Sequence, residues 1–492
     1  MLMDVLVEQN PWWSSKDLIN QDPYIVAFDR SCVKWVPDMF NIIDFGKDFV
    51  YSLRGPRQIG KTTIVKLLIR KLIESGIDPR NILYFSCESI GSWEEFRDLL
   101  RLFMRMSPGP RRYLFLDEVT AIEDWSRPVK YLYDIGVLRN NFILASGSHA
   151  IDLLKGVERL VGRRGKYEFS PDFVLLPMTF GDYVHVVNPN LYNKLIQGNV
   201  LENLMIYHKN IMHYFWNYLK AGGFPHAQDS LLKHQTVEYY IMREFINYVR
   251  QDVVRGGMSL NLVMRLLRKM IMVFPGITSW RGIASDLGFS HVIISNYAEK
   301  LRALFLVEYV YPPKVEAGAL VPNFKKDKKI IFLDPFILYA LYHWLYGISI
   351  VNRIWDKWIY DTQNRGKLME TLILRHLMYW IYGYYMHEEA LDKIFYYRKN
   401  DLEVDFIAVR NNEALIIESK RRKKLTRALR IAENIVKPRK AIKILVTEEE
   451  IELKKEIIVL PLPYLLFILS TRKDIAPLIM FKFDARESRK TS

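Results

Sequence analysis

The chain is long, half apolar and strongly basic. Its 492 residues exceed what one hydrophobic core usually holds, so we expect several domains. Its two cysteines, Cys32 and Cys87, lie far apart, which excludes a disulfide framework and favours a reducing compartment.

The formal net charge is +15, which favours a polyanionic partner such as nucleic acid. A basic composition without a specific ligand is the alternative. The first residues include acids and no basic leader, which argues against a signal peptide. The longest apolar stretches, 336–351 and 457–469, are interrupted by polar residues or prolines and predict buried elements. We therefore expect a cytoplasmic protein with no membrane segment.

The first chemical motif is a strand–loop–helix unit that follows an N-terminal extension, residues 1–48. Residues 49–53 predict a strand and residues 64–73 an amphipathic helix, within an ATPase core at 49–185. The loop between them has phosphate-loop spacing, so its backbone N–H groups and the helix N-terminus would cradle phosphates. We expect the following residues to bind ATP: Gly55, Pro56, Arg57, Gln58, Ile59, Gly60, Lys61, Thr62 and Thr63.

Two residues of this loop have specific expected roles. Lys61 would reach the β- and γ-phosphates, and the Thr62 hydroxyl would take one Mg²⁺ position. The alternative is a glycine turn followed by a chance Lys-Thr pair.

A second motif ends an apolar run with two carboxylates, Asp117 and Glu118. This pattern predicts a buried parallel strand whose charges lie at the carboxyl edge, where open α/β sheets bind ligands. Asp117 would hold Mg²⁺ through water, and Glu118 would polarise the attacking water. Alternatively, the two acids only begin the next loop.

Two further positions could complete the ATP site. A third strand ends near Ser146 and Ser148, and either hydroxyl could sense the γ-phosphate, although serines are common in turns. Downstream, Arg163 or Arg164 could act as an arginine finger, within the chain or across a subunit boundary of a homo-oligomer. A solvated basic loop is the alternative.

The middle of the chain predicts helices and a small sheet. Residues 186–255 favour a helical lid, and residues 256–348 a winged helix-turn-helix. The second helix, expected over 291–304, has apolar residues recurring at helical spacing: Ile293, Ile294, Tyr297, Leu301 and Leu304. Its exposed candidates for DNA contact are His291, Ser295, Asn296 and Lys300. This module could equally pack on the ATPase core without touching DNA.

Residues 356–492 contain a second set of charges between apolar runs. Glu370 lies on a long aromatic helix, and Asp405 and Glu418 lie on neighbouring strands. Buried charges are costly unless they are paired or bind a metal. These three carboxylates could therefore gather around one Mg²⁺.

Lys420 lies two residues beyond Glu418, on the same strand face. It would orient or deprotonate the attacking water, or neutralise developing charge, and the Ser419 carbonyl could add a metal ligand. A surface Glu–Lys pair is the alternative. The basic stretch over 420–430 would hold phosphates or form a solvated helix face.

These motifs resemble archaeal and bacterial AAA+ ATPases with a C-terminal nuclease-like domain, which are similar to one branch of the signal-transduction ATPases with numerous domains. The resemblance rests on Asn10–Trp13, Gly55–Thr63, Leu116–Val119, Asp124–Trp125, Ser146–Ser148, Gly162–Arg163 and Gly222–Pro225. In that group a Gly-x-Pro near the lid contacts the nucleotide base, which implies Pro225 unless this segment is an ordinary turn.

Glu370, Asp405, Glu418 and Lys420 resemble the metal-binding and catalytic positions of the PD-(D/E)XK nuclease fold. The expected fold class is thus α/β: a P-loop NTPase parallel sheet core, a helical lid, a winged helix-turn-helix and a restriction-endonuclease-like domain. The expected function is an ATPase coupled to a Mg²⁺-dependent DNA nuclease. The alternatives are an ATP-driven regulatory switch, or a DNA-binding regulator, whose nuclease fold does not cleave.

Overall fold

A computed structural model describes most of the chain. The described residues are 2–147, 150–160, 162, 170–385, 391–399, 402–419, 425–436, 439–453 and 457–475. They form two compact units. The first contains residues 2–176 with 384 and 385, and the second contains the other described residues from 177 onward.

The first unit alternates helices with parallel strands. Its helices are α1 (Leu2–Gln9), α2 (Pro23–Arg30), α3 (Met39–Ile42), α4 (Lys61–Glu74), α5 (Trp93–Met106), α6 (Ser126–Asp134) and α7 (Ala150–Glu158). Its strands are β1 (Val50–Arg54), β2 (Ile82–Ser86), β3 (Tyr113–Asp117), β4 (Phe142–Ser146) and β5 (Asp172–Val174).

These strands form one five-stranded sheet in the order β2-β3-β4-β1-β5, and every pairing is parallel. The apolar runs that predict strands become buried strands because helices cover a parallel sheet. Since parallel strands share one carboxyl edge, the ends of β1, β3 and β4 bring the phosphate loop, Asp117 and Ser146 to the same side. The predicted α/β core with a parallel sheet is confirmed.

The second unit begins with helices and continues with three small sheets. Its helices are α8 (Phe180–Val187), α9 (Pro189–Ile196), α10 (Val200–Ile206), α11 (His208–Ala221), α12 (Pro225–His234), α13 (Tyr239–Arg255), α14 (Leu260–Val273), α15 (Trp280–Leu287), α16 (His291–Ala303), α17 (Pro335–Tyr346), α18 (Val351–Trp355), α19 (Thr362–Tyr382), α20 (Leu425–Val436) and α21 (Leu462–Ser470). Its strands are β6 (Ile277–Thr278), β7 (Val307–Val310), β8 (Pro313–Glu316), β9 (Ala319–Pro322), β10 (Lys328–Phe332), β11 (Ile394–Lys399), β12 (Leu402–Arg410), β13 (Glu413–Glu418), β14 (Lys440–Thr447), β15 (Glu452–Leu453) and β16 (Ile458–Pro461).

The helix pair predicted near residue 290 is present as α15 and α16. The small sheet predicted in this region forms from β6, β10 and β7, which pair antiparallel in that order. Within α16, Ile293 is 41% exposed, whereas Ile294 is buried. The buried face is narrower than the apolar pattern suggested.

The largest sheet of the second unit has six strands, β11-β12-β13-β14-β16-β15. Strands β11, β12 and β13 pair antiparallel, whereas β13, β14 and β16 pair parallel. Helix α19 packs against both β12 of this sheet and β10 of the three-stranded sheet. It therefore brings β10 near the six-stranded sheet. Among the described residues, no helix has the length and apolar character needed to cross a membrane.

Candidate functional site

The phosphate loop joins β1 to α4 in a tightly constrained path. A Cβ atom at Gly55 would lie 2.3 Å from the carbonyl oxygen of Leu175, so no larger residue fits there. Gly60 has a φ of 102°, a left-handed conformation that favours glycine, and it caps α4. The nine predicted residues thus form a loop, residues 55–60, followed by the first three residues of α4, Lys61, Thr62 and Thr63.

Lys61 lies inside this turn and is 6% exposed. Its Nζ donates hydrogen bonds to the carbonyl oxygens of Gly55, at 2.9 Å, and Pro56, at 3.0 Å. The ammonium is therefore held at the centre of the loop, where a phosphate group could compete for it.

Asp117 connects the loop to two neighbouring strands. Its Oδ2 accepts hydrogen bonds from the Thr62 hydroxyl, at 2.7 Å, and from the Tyr84 hydroxyl, at 3.1 Å. Its Oδ1 accepts from the hydroxyl of Ser146, which is fully buried. A hydroxyl and a carboxylate side by side are the hard oxygen donors that Mg²⁺ prefers, so Thr62 and Asp117 fit this ion.

Glu118 follows directly, with a left-handed backbone at φ 48°. Its Oε1 lies 3.4 Å from a guanidinium nitrogen of Arg57, within the phosphate loop. Both side chains are largely shielded, at 14% and 15% exposed. Glu118 therefore stands at the carboxyl edge of the sheet, and a cation of the loop fixes its position.

A buried lysine lies behind the Asp117 cluster. Lys66 Nζ is 3.0 Å from Asp22 Oδ2 and 3.3 Å from the centre of the Tyr84 ring. Burial lowers the pKa of Lys66, and the charges of Asp22 and Asp117 partly oppose this. Burial also raises the pKa of Tyr84, and the Asp117 charge adds to the effect. The Tyr84 hydroxyl thus remains a proton donor to Asp117.

The N-terminal extension covers the edge strand of this sheet with side chains. Asn10 Nδ2 donates to the carbonyl of Tyr84, at 2.9 Å, and Asn10 Oδ1 accepts from the Tyr84 N–H, at 2.7 Å. Gln9 accepts from the Ser86 N–H, at 2.7 Å, and the Trp13 indole donates to the Ile82 carbonyl, at 2.8 Å. One amide therefore imitates a neighbouring strand, and the Asn-Pro-Trp-Trp motif is explained as an edge cover.

Several candidates are not placed by the structure. Ser148, Arg163, Arg164 and Lys420 lie outside the described residues, so their roles stay predictions. Pro225 begins α12 in the second unit. The preceding Gly223 donates its N–H to Asp334 Oδ2, at 2.9 Å, and a Cβ there would lie 2.5 Å from the Met178 carbonyl. This glycine is thus explained by packing, and the nucleotide contact of Pro225 stays a prediction.

The predicted DNA-facing residues of α16 differ in exposure. His291 and Asn296 are exposed, whereas Ser295 and Lys300 are half-buried. Lys300 Nζ donates to the Gly256 carbonyl, at 2.8 Å, so its charge is used within the second unit.

In the second unit, two of the three predicted metal ligands converge on a lysine. Lys329 of β10 is 1% exposed, and its Nζ lies 2.9 Å from Asp405 Oδ1. It also lies 3.1 Å from Glu370 Oε2 and 3.1 Å from Glu403 Oε1. Burial lowers the pKa of Lys329, but the three carboxylates outweigh it and raise the pKa well above its usual value.

Asp405 makes further hydrogen bonds within the second unit. Asp405 Oδ2 accepts from the Ser419 N–H, at 2.9 Å, and from the Ser419 hydroxyl, at 2.6 Å. Glu418, at the end of β13, is 3% exposed. Within the described part of the chain, no three histidine, cysteine or carboxylate side chains are arranged to hold a metal ion. Metal binding by Glu370, Asp405 and Glu418 stays a prediction.

Sequence reasoning missed Tyr84, Lys66 and Lys329. The first two occupy positions that are ordinary for a strand and a helix, so their types gave no signal. Lys329 did give one: it directly precedes the apolar run 330–333, and a charge beside such a run needs a partner. That argument was applied to the carboxylates and not to the lysine.

Three family models match parts of this chain. One described as an AAA domain matches residues 47–184. Two described as domains of unknown function, DUF8612 and DUF4143, match residues 212–347 and 365–465.

Relatives and solved structures are distant. An uncharacterized protein of Methanocaldococcus jannaschii is 24% identical over 377 residues, covering 74% of this chain and 72% of its own. An uncharacterized protein of Haemophilus influenzae is 28% identical, covering 36% of this chain and 40% of its own. A Walker-type ATPase of Pyrococcus abyssi is similar over 59% of this chain and 90% of its own, at 12% identity and a TM-score of 0.33. The RuvB Holliday junction branch migration motor of Thermotoga maritima is similar over 63% and 94%, at 13% identity and a TM-score of 0.27.

The TM-scores of these two solved structures are too low to support a statement about this chain. The family match covers the five-stranded parallel sheet, the phosphate loop and the Asp117 cluster together, and these are the parts that an ATPase needs. Residues 47–184 of this chain are thus similar to an AAA domain, and they contain the phosphate loop and the Asp117 cluster.

Proposed function

We propose that this chain binds ATP with Mg²⁺ and hydrolyses it at the carboxyl edge of the first sheet. The observation that carries the proposal is the Thr62–Asp117 hydrogen bond of 2.7 Å, which joins the phosphate loop to β3 beside the buried Lys61. Lys61 would exchange its two carbonyl partners for the β- and γ-phosphates. Thr62 and Asp117 would hold Mg²⁺, which neutralises phosphate charge when bound.

Glu118 is the proposed base that orients the attacking water. Its ion pair with Arg57 places it beside the loop that would hold the γ-phosphate. Ser148 as a γ-phosphate sensor, Pro225 as a base contact and Arg163 as an arginine finger from a neighbouring copy belong to the same proposal.

The test separates ATP binding from hydrolysis. Lys61→Ala should abolish tight ATP binding, because the phosphates lose their fixed cation. Glu118→Gln should bind ATP as wild type does but hydrolyse it at least about 100-fold more slowly, since only water activation is removed. Fluorescent-nucleotide titration and phosphate release measure the two steps. Equal turnover of wild type and Glu118→Gln would refute the role of Glu118.

We infer further that ATP binding regulates contact with DNA, most simply as a switch. A net charge of +15 and the helix pair α15–α16, with its exposed His291 and Asn296, support this inference. In this view the γ-phosphate biases the chain between two arrangements, one of which binds DNA.

A second candidate function is Mg²⁺-dependent DNA cleavage by the C-terminal residues. It is favoured by the mixed six-stranded sheet, in which Asp405 and Glu418 are buried on adjacent strands. If it holds, wild type should nick supercoiled plasmid with Mg²⁺, and Asp405→Ala and Lys420→Ala should not. All three proteins should hydrolyse ATP equally. A plasmid that stays intact with wild type, with and without ATP, would leave the switch as the function.

A further inference from the structure

The buried lysine of β10 lies among carboxylates that include two of the predicted metal ligands. Lys329 Nζ has three carboxylate oxygens within 3.1 Å, from Glu370, Glu403 and Asp405. Two of these residues, Glu370 and Asp405, are the predicted metal ligands. The third, Glu403, lies on the same strand as Asp405.

The geometry of this cluster suits an ammonium and not a divalent ion. An ammonium group has three N–H donors, and three carboxylate oxygens at 2.9 to 3.1 Å accept one each. Mg²⁺ requires oxygens at about 2.0–2.1 Å in an octahedron, with several waters retained. The centre of the cluster is filled by nitrogen, and Lys329 is 1% exposed, whereas the Glu403 side chain is 28% exposed.

The position of the lysine in the chain adds a second argument. Lys329 belongs to the three-stranded sheet β6-β10-β7, whereas its partners lie on α19 and β12 of the following domain. The contact between Lys329 and Asp405 spans 76 residues of sequence. A lysine supplied from outside the nuclease-like fold can neutralise its carboxylates and fasten the two parts of the second unit together.

We propose that Lys329 replaces the divalent cation of the nuclease-like domain, so that Glu370 and Asp405 form a latent metal site closed by an internal ammonium. The residues present do not fit Mg²⁺ while the lysine is in place. This inference is independent of the ATPase proposal, and it opposes cleavage as the function of the C-terminal residues.

The chain contains a matched control for Lys329. Lys328 precedes it on the same strand and is also buried, at 5% exposed. Because strand residues alternate between faces, its ammonium lies elsewhere, 4.4 Å from the centre of the Trp280 ring. Removing Lys328 thus deletes a buried lysine without opening the carboxylate cluster.

The test measures Mn²⁺ binding by the full chain in the absence of nucleotide. Binding is detected as a loss of the free Mn²⁺ signal in electron paramagnetic resonance. All proteins would also contain Asp117→Asn, which removes metal binding at the ATP site. Lys329→Ala should gain one Mn²⁺ per chain that the Lys328→Ala control and the parent lack. Adding Asp405→Asn to Lys329→Ala should remove that ion.

Two results would overturn the proposal. One is a parent protein that binds Mn²⁺ and loses it on Asp405→Asn, because the ion would then coexist with the lysine. The other is a folded Lys329→Ala protein that gains no ion. If Lys329→Ala does not fold, the double variant Lys329→Met, Glu403→Gln takes its place. This variant removes one positive and one negative charge, and the same two results would overturn the proposal.

Discussion

At the scale of single residues, Asp117 holds the proposed ATP site together. Its carboxylate accepts hydrogen bonds from Thr62, Tyr84 and Ser146, which come from the helix after the phosphate loop and from two flanking strands. A carboxylate with this many donors is fixed in position before any ion arrives, which reduces the ordering that Mg²⁺ binding requires. Tyr84 is the donor that sequence did not indicate.

Tyr84→Phe tests this arrangement. The change keeps the ring beside Lys66 but removes a hydrogen bond to a charged group, which typically contributes about 1.5–3 kcal/mol. We expect the Mg²⁺ concentration for half-maximal ATP hydrolysis to rise several-fold, with a smaller change in maximal rate. A magnesium titration of ATPase activity measures both.

Tyr183→Phe serves as its control, because the buried Tyr183 hydroxyl has no hydrogen-bond partner among the described residues. That variant should match wild type. An unchanged magnesium requirement in Tyr84→Phe would show that the hydroxyl does not position Asp117.

Single residues also show where sequence reasoning reaches its limit. The roles proposed for Lys61, Thr62 and Asp117 follow from spacing within short segments, because backbone geometry fixes a phosphate loop locally. The partner of Asp405 could not be found in this way, since Lys329 lies 76 residues earlier and on a different sheet. Pairing at that distance depends on packing that no local pattern encodes.

At the scale of elements, the beginning of α17 depends on one buried carboxylate. Asp334 accepts from the Phe336 N–H, at 2.9 Å, which caps the helix, and from the Gly223 N–H, at 2.9 Å. The Arg375 guanidinium lies 3.8 Å away. Burial raises the pKa of Asp334 to about 6, although Arg375 and the two N–H groups oppose this.

This shift predicts a pH dependence of stability. Between pH 3.8 and about 6 the folded chain keeps a proton on Asp334 that the unfolded chain releases. Raising the pH through this window therefore destabilises the folded state, by roughly 3 kcal/mol in full at 1.36 kcal/mol per pKa unit. Asp334→Asn lacks this titration, so its stability relative to wild type should improve as the pH rises from 4 to 6 and then stay level.

Denaturant unfolding of both proteins at pH 4, 5, 6 and 7 measures the difference. Stability curves that run parallel over the whole range would mean that Asp334 titrates alike in the folded and unfolded states.

The elements themselves were predicted unevenly. The strand before the phosphate loop and the strand ending in Asp117 were identified because each is a short apolar run with charged or glycine residues at its end. The exposure of Ile293 could not be predicted, because an apolar residue beside Ile294 satisfies the same periodicity. Sheet order was also beyond the sequence, because β1 pairs with β4 and β5 and not with β2.

At the scale of the whole molecule, the charge of +15 predicts DNA binding that weakens with salt. Each phosphate contact on duplex DNA contributes about −0.9 to the slope of log affinity against log salt. Replacing Arg421, Arg422, Lys423 and Lys424 together by glutamine should flatten that slope by up to about 4 units. Fluorescence anisotropy of labelled duplex at several salt concentrations measures it.

The matched control is Arg80→Gln, because this exposed arginine already pairs with its neighbour Asp78, at 2.9 Å. It should leave the slope unchanged. DNA affinity that is absent at low salt, or that does not respond to salt, would favour a protein partner for the switch.

The side chains that cover β2 determine how the parallel sheet would behave without the N-terminal extension. The family match begins at residue 47, yet Asn10 supplies the hydrogen bonds of an absent neighbouring strand and Asp22 neutralises the buried Lys66. A fragment cut at residue 47 would expose β2 as a template for pairing between copies, which is a common route to aggregation. The segment before residue 47 thus prevents β2 from pairing between copies of the chain. Recombination that separated this segment from the sheet would yield a product that aggregates.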